Sequence, residues 1–190
     1  MPFIDNMVTT SQIVLSETAR RNLALLRLEY GIYNSPTPAA LYRVGPATIH
    51  GSAFEGKYLF GDRGKRKYTP ADYFRITLTS DVIAEGATGR VHNAKVEVQV
   101  DNGRVYSYTA VAKIARQEKK RQKLRHEFAV YLYMARQGVN SVARVYGLFE
   151  DAANEAVVLV MSHAGTSLVK QPHYQERGEV SLTHEQKCEY

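Results

Sequence analysis

Cysteine is almost absent from this chain, with Cys188 the only one in 190 residues. A single thiol excludes an internal disulfide and any Cys-rich zinc site, and a reducing cytoplasmic or nuclear setting suits it best. Long apolar runs are missing as well. The longest, from Phe128 to Ala135, falls far short of the ~20 residues a membrane helix needs, so no membrane span is expected. The opening MPFIDNMVTT lacks a basic segment followed by an apolar stretch, which gives no sign of secretion. Internal repeats and low-complexity tracts are lacking, which sets solenoid architectures aside. Aspartate is scarce where phosphoryl chemistry would need it: after Lys113 the chain holds only Asp151.

What is present suits a packed core, with 44% hydrophobic and 23% charged residues. The net charge of +6 is concentrated in KIARQEKKRQKLRHE (113–127), which carries seven basic and two acidic groups. Such a run either attracts phosphate-rich partners or is the solvated face of a helix. A nucleic-acid reading ranks last. Tyr131 and Tyr133, the aromatics that would stack on bases, lie a turn or more beyond the basic run. His92, His126 and His163 are scattered over different segments without metal-ligand spacing, so no metal site is assigned.

Residues 1–70 read as an N-terminal extension. Ser16 is placed to cap a helix near 17–30, with Leu23, Leu26 and Tyr30 on one face. Pro36, Pro38 and Pro46 then interrupt any regular element. From 71 to 165 the pattern becomes dense. FRITLTSDVI (74–83) and GRVHNAKVEVQV (89–100) alternate like half-buried strands. Asp101-Asn102-Gly103 signals a turn, and VYSYTAVAKIA (105–115) comes next as a third strand. Leu124, Phe128, Tyr131, Leu132 and Ala135 then recur with helical spacing over about five turns, stopped by Gln137-Gly138. ARVYGLFED (143–151) and AVVLVM (156–161) complete the set. Three strands, a helix and two strands give an α+β class. The expectation is a five-stranded antiparallel sheet with one packed helix, preceded by a partly helical extension.

Three features bear on chemistry. Gly86 and Gly89 flank a turn between the first two strands, where missing Cβ atoms let backbone N–H groups approach an anion; alone, a plain turn explains them more simply. Lys113 lies in the apolar run Ala110-Val111-Ala112-Lys113-Ile114-Ala115. Burial of its ammonium requires a carboxylate or an anionic ligand, unless the stem reaches outward to water. Glu127 sits three residues after Leu124 and four before Tyr131, at the border of the helix's buried face.

In this order the three features resemble the N-terminal lobe of protein kinases, and across residues 75–169 the phrasing is most similar to the protein-kinase-like proteins of higher fungi. The resemblance implies an ATP-binding lobe. Gly86 and Gly89 would belong to a loop covering the nucleotide, with Ala84 in place of its first glycine. Val91 and Val111 would pack on the adenine. Lys113 would hold the α- and β-phosphates and pair with Glu127. Met161 would stand at the gatekeeper position, and Ser162, His163 and Ala164 would offer backbone bonds to the base. The family's H-R-D and D-F-G motifs are absent, so phosphotransfer is not expected from this chain alone, and magnesium would enter only with a second lobe. Residues 166–190 read as a segment beyond the hinge and the start of an incomplete second lobe. Thr183-His184-Glu185-Gln186 opens a helix there with little room to run, and the segment is expected to be poorly ordered. The alternative is a non-catalytic interaction or regulatory module, a decoy whose surface meant for that lobe docks on a protein partner.

Overall fold

A computed structural model describes residues 18–30, 33–34, 38–49, 52–54, 69, 72–100, 102–139, 141–151 and 156–164. The expectations for residues 165–190 lie outside them.

Among the described residues ten strands occur in chain order: β1 (Leu23–Tyr30), β2 (Tyr33–Asn34), β3 (Ala39–Gly45), β4 (Ala47–Ile49), β5 (Ser52–Phe54), β6 (Tyr73–Gly86), β7 (Gly89–Gln99), β8 (Val105–Ala115), β9 (Val145–Asp151) and β10 (Ala156–Met161). Residues 18–20 are helical (α1), and the long helix α2 spans Glu118–Arg136. Seven strands succeed one another in the ring β1-β3-β9-β10-β8-β7-β6, and β6 returns to β1. Six of these junctions are antiparallel; the closing one is parallel, from Leu23 opposite Tyr73 to Leu28 opposite Leu78.

The result is a closed mixed β-barrel, which corrects the expected open sheet of five antiparallel strands. It also removes the protein-kinase lobe as a description of this architecture. The source of the difference is local. LALLRLEY carries two overlapping periodicities, and Leu23, Leu26 and Tyr30 suggest the helical one. In the barrel the period of two wins: Ala24 is buried in the interior, with Leu26 and Leu28 packed against the same cluster. Pairing with β3 on one side and β6 on the other outweighs the helix propensity of leucine.

Alternation along the strands divides the apolar residues into two cores. Inside the barrel, Phe74, Ile76, Leu78, Val96, Val98, Phe149 and Val158 are all at most 1% exposed. Phe74 and Phe149 meet edge to face at 5.3 Å. Outside it, Val111, Ala115, Val145, Leu148, Val157, Leu159 and Met161 pack with Leu124 and Phe128 of α2. Helix α2 thus covers one flank of the barrel, and the residues of β8 alternate between the two cores.

Candidate functional site

Lys113 belongs to the outward set of β8, and this alternation is what delivers it to α2. Its neighbours Ala112 and Ile114 face the barrel interior. The Lys113 ammonium donates to both oxygens of Glu127, at 2.9 and 2.8 Å, with the two side chains only 18% and 23% exposed. A lysine in an apolar strand did require a carboxylate, and the helix provides one from its barrel-facing border. Two further ion pairs fix the same flank. Arg125 of α2 donates to Glu150 of β9 at 2.7 Å, and Lys120 donates to Glu85 of β6 at 3.0 Å. The Lys120 hydrogen bond, helped by the charge of Arg90, holds the Glu85 carboxyl below the usual carboxylate range.

The β6–β7 hairpin turns at Ala87-Thr88, with Gly86 and Gly89 paired on either side. Its two glycines serve different ends. Gly89 has φ +147°, and a Cβ there would press on the carbonyl of Ile114, so this position needs glycine to lie flat on β8. A Cβ on Gly86 would meet nothing, and the space around it is open. Val91 stands opposite Lys113, which places Gly89 two residues, about 7 Å, further along β7.

Between the hairpin tip and α2 lies an open groove of about 450 Å³, lined by Thr88, Gln122, Lys123, His126 and Glu127. The Lys113–Glu127 pair therefore borders a groove that carries a second lysine and an exposed histidine. In the sequence, Lys123 and His126 stand out only as part of a basic run and as a scattered histidine. The spacing of four between Lys123 and Glu127, on a stretch with helical periodicity, was the available signal for Lys123; no such spacing marks His126.

Of the other residues named from the sequence, Val91, Val111 and Met161 share the outer face with Lys113, and Val111 pairs with Met161. Val111 and Met161 are 9% and 8% exposed and packed into the core under α2. They do not line this groove. The backbone N–H of Ser162 donates to the carbonyl of Arg144, and its hydroxyl accepts from the Arg144 N–H. That Ser162 N–H is thus not offered to a base. His163 and Ala164 are exposed beyond the end of β10. Asp151 ends β9, buried, and is not part of the groove. Among the described residues no group of three or more His, Cys, Asp or Glu is placed to hold a metal ion, and no helix is long and apolar enough to cross a membrane.

Comparison with known proteins finds no matching family model, no similar curated protein and no similar solved structure.

Proposed function

We propose that the groove between the β6–β7 hairpin and α2 binds the phosphate groups of a small ligand, with ATP as the first ligand to test. The observation that carries this reading is the groove's own lining, which presents Lys123 and His126 beside Glu127, whose carboxylate is neutralised by the Lys113 ammonium behind it. Lys123 supplies an ammonium on the α2 side of the groove, and the hairpin turn at Thr88 borders its other side. The proposal is of binding, not transfer: no aspartate borders the groove. The groove is shallow and encloses a ligand on two sides only, so affinity is low. With its one cysteine, the protein belongs in a reducing compartment, cytoplasm or nucleus.

A titration of a fluorescent ATP analogue against the native chain and Lys113→Ala tests this. Saturable binding that weakens about tenfold or more on loss of the ammonium is expected. Equal, negligible binding by both would overturn it. A second reading would then stand, that of a non-catalytic interaction module. Val130 and Tyr133, 43% and 64% exposed at helical spacing on α2, support that reading as a face for a protein partner.

A further inference from the structure

Among the described residues, one end of the barrel leads into a cavity. Between β1, β6, β8 and the start of α2 lies a cavity of about 580 Å³, within the roughly 300–1,000 Å³ range of small-molecule sites. It lies on the interior side of β8, where Ile114 points, whereas Lys113 points to the opposite side. Its floor is mostly hydrocarbon, from Leu26, Leu28, Leu78 and Ile114, with the buried His92 beside them, its ring held at the Ser80 carbonyl. Below that floor the interior is filled, since Ile76 and Val96 are fully buried. A ligand can therefore occupy the mouth but cannot thread the barrel.

The rim has a different character. Arg90, Arg116 and Lys120 stand around it with Glu85 and Asp151. Arg90 and Lys120 are both engaged with Glu85, at 3.4 and 3.0 Å. Arg116 is exposed and has no hydrogen bond or ion pair among the described residues. Gln117, beside it, gives α2 no side-chain cap, and Glu118 in the first turn offsets the helix's positive end, so Arg116 is the group left to meet an anion. An apolar cup with one unengaged guanidinium at its lip is complementary to a molecule with a compact hydrocarbon body and a single anionic head.

We propose that this mouth binds a medium-chain carboxylate, with its hydrocarbon on Leu26, Leu28, Leu78 and Ile114 and its carboxylate on Arg116. The proposal does not rest on the phosphate reading, because the two sites use opposite faces of β8. Octanoate titrated into the full chain by calorimetry tests it, with 1-octanol as the uncharged counterpart. Arg116→Glu removes the head-group contact. Val82→Glu places a carboxylate on the cavity wall at a position already 41% exposed, so neither change threatens folding. One-to-one octanoate binding is expected, weakened about tenfold or more by each substitution and by rising salt. Absence of saturable binding, binding indifferent to both substitutions, or 1-octanol binding as tightly as octanoate would each overturn it.

Discussion

Arg43 shows how much one side chain can organise. It is 6% exposed, and its guanidinium donates to the carbonyls of Arg21, Gly45, Tyr146 and Thr18 at 2.6–3.2 Å. The same group lies 4.7 Å from the centre of the Phe149 ring. These bonds tie α1 and the start of β1 to β3 and β9. Gly147 makes room for them: it has φ +155°, and a Cβ there would run into the Arg43 guanidinium. Arg43→Met keeps much of the volume but leaves several buried carbonyls without their donor. A loss of at least about 3 kcal/mol is expected, read as a lower urea midpoint at unchanged slope. At this scale the sequence was partly legible. Lys113 stood out because an apolar run surrounds it, which called for a carboxylate, an anionic ligand or an outward reach of its stem, and the structure supplies the carboxylate. Arg43 sits in LYRVG, where nothing local shows that three distant carbonyls converge on it.

Helix α2 and strand β8 form the unit that builds the groove. Leu124 is fully buried between the helix and the barrel, and Phe128 is 7% exposed beside it. Because α2 meets the barrel through a narrow apolar stripe, Leu124→Ala should cost about 2–5 kcal/mol. The same cavity loosens the Lys113–Glu127 pair, so amide exchange in the middle of α2 should accelerate more than in β7. Exchange unchanged in both, with an unchanged urea midpoint, would show that the stripe does not hold the helix. Elements with one dominant periodicity were readable: β8 spans Val105–Ala115 and α2 spans Glu118–Arg136, as their patterns indicate. Gly138, at φ +74°, stands just past the helix, where Gln137-Gly138 signals its stop. β1 was not readable, because its leucines satisfy two periods at once and only the neighbouring strands decide between them.

For the whole molecule, closure was the hidden property. A parallel junction between β1 and β6 leaves no turn signature, since the segments that pair are not joined by a hairpin. Strands were visible one at a time, while the ring they form depends on contacts that no local pattern records. Closure also buries phenols. Tyr108 donates to the Thr18 hydroxyl at 2.9 Å and meets the Tyr146 ring edge to face at 5.1 Å. Burial pushes the Tyr108 phenol far above its ordinary range and raises Tyr146 and Tyr131 as well. Folded phenols therefore keep their protons where unfolded ones ionise, near pH 10. The stability these phenols add is complete below that pH and is lost as pH rises, by at most about 1.4 kcal/mol per unit for each phenol held protonated. Urea midpoints should fall between pH 9 and 11, and Tyr108→Phe should flatten the fall. A midpoint indifferent to pH over that range would contradict the burial argument.

The pairing of β3 with β9, in which Tyr42 stands opposite Glu150, also sets a timetable. A ribosome adding roughly 5–20 residues per second delivers β9 several seconds after β3. Through that interval the edge of β3 that β9 covers in the finished barrel has no partner strand. An edge without its partner strand presents unpaired N–H and C=O groups, the feature that invites pairing with other chains. Only when the second half of the barrel emerges is that edge sealed.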